Sequence, residues 1–126
     1  MRKSSAIRVV LVDDHAIVRR SLRFGLLDAH DIQVVGEAAD GEEALCVCRD
    51  LRPDVVLLDL RLPGMDSIAI IRALHRNEPM PQVLVHTADY DERVIPKALA
   101  AGACGYVLKG ELAELLAAIR TAHACR

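Results

Sequence analysis

The chain has 126 residues, 52% of them apolar, which suits one domain with a substantial core; with aromatics at 2%, that core must be Leu, Val, Ile and Ala. A formal net charge of −2 argues against a nucleic-acid surface within these residues. No apolar run approaches the roughly 18–20 residues of a membrane span, and the basic start MRKSSAIRVV leads into a strand rather than a signal-peptide core, so a cytoplasmic location without a membrane partner is expected.

IRVVLV (residues 7–12) is a β-branched run of the kind buried on both faces, and it ends in Asp13-Asp14. An amphipathic helix follows over 16–27, then a second strand, QVVGEA (33–38). After the Asp40-Gly41 break, 41–51 reads as a second helix, and Arg52-Pro53 introduces VVLLDL (55–60). This third strand is almost wholly apolar yet carries Asp59 near its end, before the Pro63-Gly64 loop. A third helix is expected over 67–76, and Pro79 and Pro81 precede the fourth strand, QVLVHT (82–87). A fourth helix over about 91–101 contains Pro96, and Gly102 and Gly105 mark the turn into GYVLK (105–109). Leu112, Leu115, Leu116 and Ile119 then recur at helical spacing within 111–123. Five strands alternating with five helices predict one domain over 1–126, with a parallel, doubly wound sheet covered on both faces.

The four cysteines do not form a framework. Cys46 and Cys48 are two apart in a helical pattern and point to different faces. Cys104 lies in a Gly/Ala turn, Cys125 lies at the end of the last helix, and the paired spacing of a zinc site is absent. They are expected to be buried or incidental thiols.

In an open α/β sheet, ligands collect at the carboxyl ends of the strands. Here those ends carry Asp13, Asp14, Asp59, Thr87 and Lys109. An isolated carboxylate at the end of a buried strand is costly unless something pairs with it. Three carboxylates together repel unless a cation intervenes, and hard oxygen donors suit Mg²⁺. A lysine beside them is placed to receive an anion, and phosphoryl groups fit such a site: an in-line carboxylate can take the phosphorus as an acyl phosphate. Taken singly, each residue also has a plain structural reading. Asp13 and Asp14 could cap the first helix, Asp59 could be a turn residue, Thr87 a strand residue, Lys109 a solvated one and Tyr106 part of the core.

Read in order, LVDDH, DLRLPGMD, HTA and GYVLK resemble the receiver domain of two-component response regulators, across essentially the whole chain. VVGEAADGEEAL and ALAAGACGYVLK further resemble the branch that precedes a LuxR-type helix-turn-helix domain. The resemblance implies a flavodoxin-like (βα)₅ sandwich with strand order 2-1-3-4-5. It implies Asp59 as phosphoacceptor, and Mg²⁺ (or Mn²⁺) held by Asp14, Asp13, Asp59 and the main-chain carbonyl of Arg61. It implies Thr87 and Lys109 as contacts to the phosphoryl oxygens and Tyr106 as the aromatic that moves as Thr87 moves. A histidine kinase or small phosphodonor would supply the phosphoryl group, a homodimer could follow, and DNA would be bound only through a domain absent from this chain.

Four departures from the commoner family pattern carry their own expectations. Lys109 is followed by Gly110 rather than proline, and a cis bond before a non-proline residue costs roughly 2.5–4 kcal/mol, so a trans bond is expected. Ser67 replaces a glycine and could cap the third helix. Pro96 in a helix interior costs roughly 3 kcal/mol or more, so regular helix is expected to start late, near 93–95, or to kink. Arg61 and Asp89, two residues beyond Asp59 and Thr87, could pair across the site's mouth and tune dephosphorylation. His86 precedes Thr87 and is expected on the opposite face of the strand. Two rivals remain: a Mg-dependent phosphatase with an aspartyl nucleophile, weakened because Arg61 stands where its second carboxylate belongs, and an interaction module that is never phosphorylated.

Overall fold

The computed structural model describes residues 6–125. Its strands are β1 (Ile7–Val12), β2 (Ile32–Ala38), β3 (Val55–Leu58), β4 (Gln82–Thr87) and β5 (Gly105–Leu108). Its helices are α1 (Ala16–Leu26), α2 (Gly41–Leu51), α3 (Ser67–Leu74), α4 (Ile95–Ala101) and α5 (Leu112–Ala124). All neighbouring strands pair in parallel, as the alternation predicts, and their order β2-β1-β3-β4-β5 is that of the flavodoxin-like sandwich the resemblance implies.

The unbroken apolar runs are explained by burial on both faces. Successive strand residues point to opposite sides. Val10, Val12, Val56, Leu58, Val83 and Val85 face the core under α2, α3 and α4, where Ile70, Ile71, Leu74 and Ile95 pack against them. Val9, Leu11, Val55, Leu57 and Leu84 face the other core, with Leu26, Leu115 and Ile119. Each fully buried aliphatic side chain contributes roughly 1.5–3 kcal/mol.

Two of the strands that lead to the candidate site, β3 and β5, are shorter than the runs that predict them. β3 ends at Leu58 although the Asp59 N–H still donates to the Val12 carbonyl at 3.0 Å, and β5 ends at Leu108 although the Lys109 N–H donates to the Thr87 carbonyl at 2.8 Å. The ladder therefore holds Asp59 and Lys109 by their backbones and then lets the chain leave the sheet. Ser67 departs from expectation. Asp66 is the N-cap of α3, and Ser67 is the first helical residue, its hydroxyl donating back to the Leu60 carbonyl. That bond ties the loop after β3 to the start of α3.

Helix α4 begins late, as Pro96 requires. Val94 and Ile95 donate from their N–H groups to the Asp91 carbonyl at 3.0 and 2.8 Å, forming a turn, and Pro96 falls in the first helical turn, where a missing N–H costs little. The helix ends at Gly102, whose φ of +127° suits glycine and whose bare Cα leaves room for the His75 ring. The Lys109–Gly110 bond is trans, since Glu78–Pro79 is the one cis peptide among the described residues.

Candidate functional site

β1 and β3 are adjacent, so their ends bring Asp13 and Asp59 side by side at the carboxyl rim of the sheet. Both are nearly closed to solvent, at 2% and 5% exposure. Lys109, arriving from β5, reaches across with its ammonium 2.9 Å from Asp13 Oδ2 and 3.5 Å from Asp59 Oδ2. The Arg61 N–H donates to Asp59 Oδ1 at 3.2 Å, and the His15 N–H donates to Asp13 Oδ1 at 2.9 Å. The question raised by a charge at the end of a buried strand is thus answered by a lysine and two main-chain donors.

The same rim gathers further ligand atoms. Asp14 is more open, and His15 Nδ1 lies 3.0 Å from Asp14 Oδ1 and 3.2 Å from Asp13 Oδ1. One ligand atom each from Asp13, Asp14, His15 and Asp59 falls within a 4.8 Å span. Three carboxylates face one ammonium, which leaves excess negative charge at a partly open rim. Hard oxygen donors at this spacing fit a small divalent cation such as Mg²⁺. The capping alternative for Asp13 and Asp14 does not hold, because the N-cap of α1 is His15 and no side chain caps that helix. His15 was not legible as a site residue, although its place directly after Asp13-Asp14 was the available signal.

Electrostatics bind the lysine to this corner. Burial pushes the Asp13 carboxyl up, but the His15 N–H and the Lys109 ammonium outweigh it and hold the group below its ordinary range. Burial likewise works against the charge on Lys109, yet the hydrogen bond it donates to Asp13 and the field of Asp59 raise its pKa. Lys109 is therefore a committed cation at neutral pH.

Thr87 and Tyr106 lie on the other side of the site. Thr87 is buried at the end of β4, and its hydroxyl donates to the Asp89 carbonyl at 3.1 Å rather than to Asp59. Tyr106 is not a core residue: it is 42% exposed, with its ring 5.2 Å from that of Tyr90 at a 58° tilt. Tyr90 is a partner that the motifs did not single out. Arg61 and Asp89 make no ion pair with each other among the described residues; the charge of Arg61 acts instead on Asp91, after the main contributions of Arg93. His86 faces away from Thr87, as strand alternation requires, into a cavity of about 330 Å³ between α1 and the start of α5, shared with Lys109 and Leu112. There burial pushes its pKa down to about 4, so its ring is neutral near pH 7.

Residues 9–120 match the response regulator receiver domain, and the chain belongs to that family. It is 43% identical over 119 residues to the response regulator GacA of Pseudomonas viridiflava, covering 94% of this chain and 56% of that protein. It is 42% identical over 117 residues to the uncharacterized transcriptional regulatory protein YhcZ of Bacillus subtilis (strain 168), covering 93% and 55%. The chain thus spans about half the length of the curated relatives it matches. Among solved structures, the receiver domain of a NarL response regulator from Mycobacterium tuberculosis superposes with a TM-score of 0.88 at 35% identity, covering 97% of this chain and 99% of that one. A LuxR-family two-component response regulator from Aurantimonas sp. SI85-9A1 gives 0.89 at 38% identity, covering 97% and 88%. No helix among the described residues is long and apolar enough to cross a membrane.

Proposed function

We propose that Asp59 accepts a phosphoryl group from a histidine kinase, and that this event controls a transcriptional regulator through a domain outside the present chain. The observation that carries the reading is the Asp59 carboxylate, set 3.5 Å from the Lys109 ammonium and within the same acidic rim as Asp13, Asp14 and His15. An Asp59 oxygen forms a P–O bond as the P–N bond of the donor imidazole breaks, and the imidazole takes up a proton. Lys109 neutralises the phosphoryl oxygens as they arrive. A divalent cation, held by Asp14, Asp13, Asp59 and the Arg61 carbonyl, would supply further charge neutralisation.

Phosphorylation adds about −1.5 to −2 of charge. The Thr87 hydroxyl, which now donates to the Asp89 carbonyl, turns to the phosphoryl oxygens. Tyr106 leaves Tyr90 and follows the space that Thr87 opens. The phosphoryl group biases two existing arrangements of the surface formed by α4, β5 and α5. The regulatory name of the Bacillus subtilis relative, and the length by which that relative exceeds the matched span, support an output on DNA, with self-association of the phosphorylated form as one route to it. Incubation with acetyl phosphate and Mg²⁺, followed by intact mass, gives one added phosphoryl group, and Asp59→Asn abolishes it. Continuous phosphate release would instead indicate a phosphatase, and an unmodified mass would indicate a phosphorylation-independent module.

A further inference from the structure

The four cysteines occupy unlike places. Cys48 is buried in the core under α2, and burial pushes its thiol up to about 12, so it is inert as a nucleophile. Cys46 is exposed on α2. Cys104 and Cys125 are a different case: they are 21 positions apart in sequence, yet they border one cavity of about 370 Å³ between β5 and the last turns of α5.

Each of these two is anchored by its backbone. The Cys104 N–H donates to the Val83 carbonyl at 2.8 Å, fixing it where the chain enters the edge strand, and the Cys125 N–H donates to the Thr121 carbonyl at 3.1 Å, fixing it at the end of α5. Ala117, Ala118 and Ala122 line the cavity between them, and these small side chains leave the two sulfurs room to approach. Both residues are exposed, so a solution reagent can reach them. Although Cys104 is exposed as a residue, desolvation of its thiol raises the pKa against the smaller opposing effect of its own backbone hydrogen bond.

We infer that Cys104 and Cys125 form an oxidisable dithiol site, which a low-molecular-weight disulfide converts into an intramolecular disulfide clamping the end of α5 to the approach to β5. The Cys125 thiolate attacks one sulfur of the reagent, forming a mixed disulfide and expelling the first thiolate. Cys104 then gives its proton to solvent and attacks the Cys125 sulfur, expelling the second. Two protein thiols are oxidised to one disulfide, and the reagent disulfide is reduced to two thiols. Desolvation makes Cys104 slower to ionise, so it serves as the second nucleophile. Tyr106 borders the same cavity, so the bond closes against the strand that carries it.

The test uses the full 126-residue chain at low micromolar concentration with about 1 mM oxidised glutathione, a concentration that a local partner thiol exceeds. In the Cys46→Ser chain, which removes the third exposed thiol, the expected result is a mass lower by two hydrogens with no glutathione between the pair, and a peptide map joining Cys104 to Cys125. Added to that chain, Cys104→Ser and Cys125→Ser each retain one glutathione on the surviving thiol. Separate glutathione adducts on both residues, or a link that forms only between two chains, would overturn the inference. The readout is independent of Asp59, so Asp59→Asn must close the same link, and failure of the phosphoacceptor reading leaves this result unaffected.

Discussion

The two sides of the carboxyl rim are built differently. On the side of β1 and β3, Asp13 and Asp59 are nearly closed to solvent and locked by main-chain donors and by Lys109. On the side of β4 and β5, Thr87 holds only the Asp89 carbonyl, Tyr106 leans outward on Tyr90, and α4 starts a turn late behind Pro96. Buried charge must be fixed in place because misplacing it is costly, whereas a neutral hydroxyl and a half-exposed ring can change partners at less cost. One rim therefore holds the chemistry still while the other is free to report it.

The largest effect should come from breaking the fixed side. Lys109→Ala removes the ammonium that touches both Asp13 and Asp59. Losing a single preorganised charge partner typically costs two to three orders of magnitude in rate, so phosphoryl uptake from acetyl phosphate should fall by about that much. Mass spectrometry over time reads the rate, and uptake within about threefold of the parent would remove Lys109 from the chemistry. Folding should weaken less, by about 1–2 kcal/mol, since the lysine is partly solvated and Asp13 keeps the His15 N–H.

His86, on β4 but facing away from Thr87, sharpens the comparison. With its ordinary value at 6.5 and its folded value near 4, the unfolded chain takes up a proton in that window that the folded ring refuses. Its contribution to stability is full above about pH 6.5 and is lost as pH falls toward 4, on the order of 3 kcal/mol in all. Urea titrations at pH 7, 6 and 5 should show the decline, and His86→Gln should flatten it. An equal slope in both proteins would place the acid sensitivity elsewhere.

The movable side still needs an anchor, and Gly102 supplies it. A Cβ there would lie 2.8 Å from the His75 ring, and φ of +127° is already hostile to a side chain. Gly102→Ala should cost roughly 1–3 kcal/mol, measured by denaturant midpoint. Adding His75→Ala should recover only the steric part. Full recovery would show that backbone strain contributes nothing.

This division was unevenly legible in the sequence. The fixed side could be read directly, because Asp13, Asp14, Asp59 and Lys109 end apolar strands whose burial on both faces sets their direction, and Pro96 announced the late start of α4. The movable side could not. Nothing local tells that Tyr106 is turned out, or that Tyr90, from a different loop, is its partner, because an aromatic contact across sequence leaves no spacing to detect. Ser67 looked like a cap, but a serine at this position can satisfy any nearby carbonyl, and only the fold brings Leu60 within reach. His15 lay in plain view beside two aspartates, where its capping position hid its nearness to all three carboxylates.

The smallest expected effect is the most telling for the movable side. The tilted Tyr90–Tyr106 pair holds Tyr106 in its outward position, and such pairs contribute about 0.5–1.5 kcal/mol, the lower end applying to rings this exposed. Tyr90→Ala should therefore change global stability by less than about 1 kcal/mol. If the inward arrangement of Tyr106 already exists at low population, removing 0.5–1 kcal/mol of outward stabilisation raises that population about two- to fivefold. Because the phosphoryl group favours the same arrangement, uptake from acetyl phosphate should accelerate by a similar factor, while Tyr90→Phe, which keeps the ring, should behave like the parent. An equal rate in Tyr90→Ala would mean that the ring contact is incidental and that Tyr106 is held outward by its own strand.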